Sequence, residues 1–130
     1  MQTERKWSMY VAVLASSPTR ATATRDRLLD LSLENGCYST FLSYPAGEEF
    51  LAELERKDIG TVVLHTEAPR HLLLAESIIK RKPEVKLILL GSDEVAAQGY
   101  SLQARYCAGH DPDNSDLKQI VDIIFPPNEG

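Results

Sequence analysis

Five times along this chain a short apolar run rich in β-formers gives way to a segment with helical periodicity, and no other feature restricts the fold as tightly. YVAVL (Tyr10 to Leu14) is the first run, stopped by Ser16, Ser17 and Pro18. From Thr19 the pattern is helical: Leu28, Leu29, Leu31 and Leu33 fall on one broad face, and Asn35-Gly36 closes the segment as a C-cap. CYSTFLSY (Cys37 to Tyr44) is the second predicted strand. AGEEFLAELERKD then gives a short amphipathic helix with Phe50, Leu51 and Leu54 inward; Glu48 and Glu49 in its first turn, and Arg56 and Lys57 in its last, complement the helix dipole. TVVLH (Thr61 to His65) is the third strand, and Arg70 to Lys82 the third helix, carrying Leu72, Leu74, Ala75, Ile78 and Ile79 and ending before Pro83. VKLILL (Val85 to Leu90) is the fourth strand, and Gly91-Ser92-Asp93 turns the chain into a helix near Val95 to Leu102. The fifth strand falls within ARYCAG; the last helix, capped by Asp113, Asn114 or Ser115, carries Leu117, Ile120, Val121 and Ile124 at i, i+3, i+4, i+7.

Five strand–helix pairs joined by short connections predict an α/β fold, a three-layer (βα)5 doubly wound parallel sheet covered by helices on both faces. Right-handed crossovers make the flavodoxin-like strand order 2-1-3-4-5 the expected one at this length. One domain from residue 10 to 125 accounts for the pattern, with an N-terminal arm (1–9) carrying Trp7 and a tail or linker start (126–130).

The 130 residues suffice to bury a core without metal or disulfide. A formal charge of −5 is the wrong sign for a surface that neutralises phosphates, so no direct nucleic-acid binding is expected. Cys37 and Cys107 lie outside any metal-finger or CxxC spacing and read as reduced, largely buried thiols. No apolar run approaches the ~18 residues of a membrane span, and no targeting segment is visible, so the expected location is the cytoplasm.

In a sheet of this kind ligands and chemistry sit at the carboxyl ends of the strands. His65 ends the third strand there, with His110 ending a neighbouring region and Glu67, Asp93 and Asp111 expected close by. Imidazole plus carboxylate is metal-binding chemistry, but no compact ligand spacing is present, and neither a metal nor a cofactor is assigned. The bland reading of His65 is a buried histidine hydrogen-bonded to a neighbour. The GEEFL and SDE stretches read as helix starts, with Ser92 as a cap whose hydroxyl could face the same edge.

The stretches VAVLASSP, YPAGEEFLAEL, IGTVVLHTEAP and SDEVAAQGYSLQARYCAGHD together resemble the receiver domain of bacterial two-component response regulators (CheY-like), and most of all the receivers of LytTR-type regulators. The likeness runs from Tyr10 to Phe125. In that family two acids after the first strand hold Mg²⁺, an aspartate ending the third takes a phosphoryl group, and a hydroxyl and a lysine near the fourth and fifth read it. Carried over by position, the acid pair falls on Ala15 and Ser16, the phosphoacceptor on His65, the switch hydroxyl on Leu90 and the lysine on His110. An alanine and a neutral hydroxyl cannot dehydrate Mg²⁺, and without aspartate there is no carboxylate nucleophile. The resemblance therefore implies a pseudo-receiver, a non-enzymatic signalling domain with its phosphorylation site dismantled and no catalytic residues. It implies contacts, as a homodimer or with a protein partner, through the fourth helix, fifth strand and fifth helix, where Tyr100, Leu102, Arg105 and Tyr106 are candidate interface residues. A transcription-regulator output domain following the tail is part of the same expectation. The alternative is a small-molecule or metal sensor using a pocket remodelled around Glu67, Ser92, Asp93 and Asp111.

Overall fold

The computed structural model of the chain describes residues 10–126; Trp7, the N-terminal arm and residues 127–130 lie outside it. Five strands, β1 (Tyr10–Ala15), β2 (Phe41–Pro45), β3 (Ile59–His65), β4 (Lys86–Leu90) and β5 (Tyr106–Ala108), alternate with five helices. These are α1 (Pro18–Glu34), α2 (Phe50–Arg56), α3 (Pro69–Arg81), α4 (Asp93–Ser101) and α5 (Asn114–Ile124). All strand pairings are parallel and the order is β2-β1-β3-β4-β5, the doubly wound topology expected from the sequence.

Side chains alternate across the sheet, so the three central strands feed two cores. Ala12, Leu14, Val62, Leu64, Leu87 and Leu89 pack with Phe50, Leu54, Leu74 and Ile78 beneath α2 and α3. Val11, Val13, Val63, Ile88 and Leu90 pack with Leu28 of α1 and Leu117, Ile120, Val121 and Ile124 of α5. Lys86, at the amino end of β4, sends its ammonium to the Ile123 carbonyl (2.8 Å), tying that strand to the last turn of α5.

Helix ends follow local chemistry. Ser17 caps α1 by accepting from the Arg20 amide, and Pro18 opens its first turn. At the other end the amides of Gly36 and Cys37 bond the Leu33 and Ser32 carbonyls, with Gly36 at φ +73°, a Schellman closure. Asp113 and Asp116 form a reciprocal capping box at α5.

Several expectations need correction. Cys37 belongs to the α1 closure, so β2 begins four residues later, at Phe41. The Gly47–Glu49 stretch is a turn leading into α2; Glu53 is the acid in its first turn, and Lys57 is the C-cap rather than a last-turn residue. Leu33 is 45% exposed, because the buried stripe of α1 is Ala21, Thr24, Leu28 and Ser32. The Ser32 hydroxyl donates to the Leu28 carbonyl, which lets a polar residue occupy the core face. Both thiols are free but only half-buried.

The α4 helix closes with the same pattern as α1: the amides of Gln103 and Ala104 bond the carbonyls of Tyr100 and Gly99. Here the left-handed position is Gln103, at φ +68°, a conformation that costs a residue with a β-carbon about 1–2 kcal/mol. Glycine is relieved of that cost and loses part of the gain through its looser unfolded chain. Gln103→Gly is therefore expected to stabilise the domain by about 0.5–1 kcal/mol in urea unfolding; a loss of stability would contradict the closure described.

Candidate functional site at the carboxyl edge of the sheet

All three histidines of the chain stand at the carboxyl edge of the sheet. His65 is the last residue of β3, paired in register with Leu90 of β4. Strand alternation turns it to the α1/α5 face behind Val63, where it is 1% exposed. Its Nε2 lies 2.8 Å from the hydroxyl of Thr24, in the second turn of α1, while its Nδ1 is shielded from solvent and has no partner. Burial is the main force on its pKa, with the Arg20 charge next; together they push it from 6.5 to about 4 against the weaker pull of Glu67 and Asp111. The imidazole is neutral at physiological pH.

His71, which sequence reading passed over, is equally buried at the third position of α3. Its Nδ1 accepts from the amides of Glu67 (2.9 Å) and Ala68 (3.2 Å), which fixes the proton on Nε2. That N–H points at the Ser16 hydroxyl, 3.1 Å away. The ring thus caps α3, whose N-cap Ala68 has no side-chain acceptor of its own, and clasps the β1–α1 turn to the β3–α3 turn. A second proton would set an N–H against two N–H donors, and burial likewise holds the pKa down. Histidine two residues after an N1 proline, in the position where a capping box places Glu or Gln, was the available signal.

The remaining residues singled out from sequence divide between two clefts. Glu67 and Ser92 line one of about 510 Å³ between α3 and α4. Asp111 and His65 line another of about 370 Å³ between the start of α1 and the β5–α5 loop. His110, two residues past β5, borders both, and its Nδ1 is buried without a partner. Asp93 borders neither; it sits in the first turn of α4, which Ser92 caps by accepting from the Val95 amide. Glu67 and Asp111 lie near enough to His65 for their charges to act on it, but they line different clefts, Glu67 being drawn to the Ser16 amide (3.2 Å) and to Arg20 (3.5 Å). Among the described residues no group of three His, Cys, Asp or Glu side chains is placed to hold a metal ion.

Ala15 is buried at the end of β1, Ser16 is exposed and bound to His71, and Leu90 is wholly inside the α1/α5 core. On the α4–β5–α5 face Tyr100 is 55% exposed and Arg105 points to solvent. Leu102 packs on the core, and the Tyr106 hydroxyl donates to Asp116 (2.9 Å), locking β5 to α5. Burial and that acceptor push the Tyr106 phenol up to about 12.

No protein-family model and no curated protein sequence matches the chain. Solved structures do. TrrA, a response regulator protein of Thermotoga maritima in complex with Mg²⁺-BeF, aligns with a TM-score of 0.67 at 25% identity, over 89% of this chain and 98% of that one. TrrA in complex with the histidine kinase ThkA aligns at 22% identity with the same score, over 90% and 98%. The REC domain of AraT, a response regulator from Geobacillus stearothermophilus, aligns with a TM-score of 0.68 at 14% identity, over 89% and 92%. The chain has the fold of CheY-like response-regulator receiver domains, a class of signal-transduction module. None of its described helices is long and apolar enough to cross a membrane.

The histidine at the core of the site makes stability depend on pH with a definite sign. The unfolded chain accepts a proton near pH 6.5 that folded His65 refuses until about pH 4, so its contribution is complete above that window and is lost as pH falls through it. Between about pH 7 and about pH 4.5 the loss attributable to His65 is about 2–3 kcal/mol. Urea unfolding of the wild type and His65→Gln at both pH values is the check: the variant is expected to show the smaller acid loss, and equal losses would refute the assignment.

Proposed function

We propose that this chain is a pseudo-receiver: a non-enzymatic signalling domain that keeps the receiver scaffold and works through protein contacts without accepting a phosphoryl group. One observation carries the reading. The residue that ends β3 is an imidazole engaged with Thr24 rather than a free carboxylate. A carboxylate is the nucleophile that acyl-phosphate formation needs. Its surroundings support the same reading. Ala15 and Ser16 offer no charged oxygen for a hard cation, and Leu90 fills the core where a hydroxyl would be needed to reach a phosphate.

The contact surface we assign is the α4–β5–α5 face. Tyr100 and Arg105 supply an exposed aromatic and a guanidinium, residue types enriched at binding hot spots, on a backing made rigid by the Tyr106–Asp116 bond. The occupant is a second copy or a signalling protein; the ThkA complex of TrrA is a case of a domain with this fold docking a kinase. The sequence likeness to LytTR-type receivers favours a cytoplasmic transcription regulator as the setting, with this acidic domain regulatory and any DNA contact made elsewhere. A second reading, a small-molecule sensor, is favoured by the unpartnered ring nitrogens of His65 and His110 beside one cleft.

Incubation with acetyl phosphate and Mg²⁺ followed by intact-mass measurement is expected to leave the mass unchanged. A phosphoryl-sized increase that disappears in His65→Ala would overturn the proposal. Light scattering over a concentration series is expected to show self-association that Tyr100→Ser combined with Arg105→Glu weakens by at least about tenfold. A strict monomer at every concentration would reject the homodimer and leave only the partner-bound form.

A further inference from the structure

The cleft between α1 and the β5–α5 loop contains more binding chemistry than the fold requires of it. Two imidazoles border it, each with a ring nitrogen that is buried and lacks a hydrogen-bond partner. Buried polar atoms are nearly always satisfied, and those that are not mark strain, a missing water or a ligand. Cationic groups flank the same cleft. Arg27 forms no ion pair among the described residues, and Arg20 is held only at 3.5 Å from Glu67. At the rim α1 begins, a helix of 17 residues whose amino end favours negative charge. Ser17 satisfies the Arg20 amide there, and the Thr19 amide has no partner among the described residues.

We propose that this cleft is a binding site for a small organic anion, a carboxylate or a phosphomonoester, held by Arg20, Arg27 and the start of α1, with its body against His65 and His110. The proposal rests on the second reading above and does not depend on the α4–β5–α5 contacts. The volume of about 370 Å³ suits a metabolite rather than a bare ion. Guanidinium groups fit carboxylate and phosphate oxygens in pairs, which gives both affinity and orientation. The Thr24 hydroxyl also borders the cleft and already sets the His65 ring, so the deepest polar contact is pre-oriented. Because both orphan nitrogens are closed to solvent, a ligand reaches them by turning His110, which lies on a connecting loop and borders the second cleft as well. Asp111, the one carboxylate lining the cleft, selects for ligands that carry a hydroxyl or amine donor beside the anionic group.

The test is a titration of the full chain with citrate, glycerol 3-phosphate and inorganic phosphate, followed by NMR of the histidine ring nitrogens and the backbone amides, with sodium chloride at matched ionic strength as control. The expected result is a saturable shift of His65, His110 and Thr19 signals with an organic anion, weakened roughly tenfold in Arg27→Gln and unchanged in Arg25→Gln. Arg25 lies on the same helix but is bound to Asp26 (2.9 Å) and does not line the cleft. Absence of saturation with every probe, or equal weakening in the two arginine variants, overturns the proposal. Saturation with zinc chloride alone overturns it in favour of a metal site. The mass experiment is independent: unchanged mass with no anion binding leaves the pseudo-receiver standing and removes only its ligand.

Discussion

A polar side chain that ends the central strand of a parallel sheet is cut off from water on both faces, and everything at this edge follows from how that difficulty is met. β3 is flanked by β1 and β4, and Val62, Val63 and Leu64 leave no solvent-accessible surface before the chain reaches His65. Alternation sends the ring to the α1 side, where Thr24 is the partner. A carboxylate in the same place would need cations or several donors to stay ionised. A neutral imidazole needs only one or two hydrogen bonds, so the edge is stable without a metal-binding acid cluster. The cost that remains is the unpartnered Nδ1.

His71 meets the opposite need. The amides of Glu67 and Ala68, in the turn after β3, need an acceptor that the methyl side chain of Ala68 cannot supply. One ring, fixed in a single tautomer by two backbone donors, satisfies them and reaches Ser16 across the gap. Glu67 bridges the same two turns from outside through the Ser16 amide and Arg20. Ser16, one of the positions that resemble a phosphorylation site, is therefore taken up by a clasp between the two turns, and Glu67 is held there on the Arg20 side.

Strand order and most elements were legible in the sequence because apolar periodicity reports burial, and burial decides a doubly wound sheet; α4 and the three-residue, half-buried β5 carry little of that signal and are placed by the family resemblance. Where reading failed, a polar residue did the work of an apolar one. Thr24 and Ser32 sit on the buried stripe of α1 while Leu33 faces outward; a local hydroxyl bond to Leu28 makes Ser32 tolerable inside, and the long-range bond to His65 does so for Thr24. Cys37 looked like the start of a strand because its side chain is apolar, yet its amide is spent on closing α1. The site was half legible. His65 and His110 stood out by position, but His71 did not, because a capping histidine carries no periodic signature; its place after Pro69 hinted at the cap, and only its bond to Ser16 needed the two turns brought together.

On the pseudo-receiver reading proposed above, the scaffold has no covalent switch and responds only to something that binds its conformations unequally. The connectivity indicates where such a preference would be felt. His110 and Asp111 border the α1 cleft and lie on the loop that ends in Asp113, the cap of α5. Asp113 pairs with Asp116, and Asp116 holds the Tyr106 hydroxyl of β5. The cleft proposed as a binding site and the α4–β5–α5 face are thus joined by the short run of chain from His110 to Asp113 and then by hydrogen bonds through a single helix start. That run is a route for coupling; its strength equals the difference in ligand affinity between the two arrangements of that helix start and nothing more. In the pseudo-receiver proposed above, differential stabilisation of one surface would fall to whatever engages the loop from His110 to Asp113.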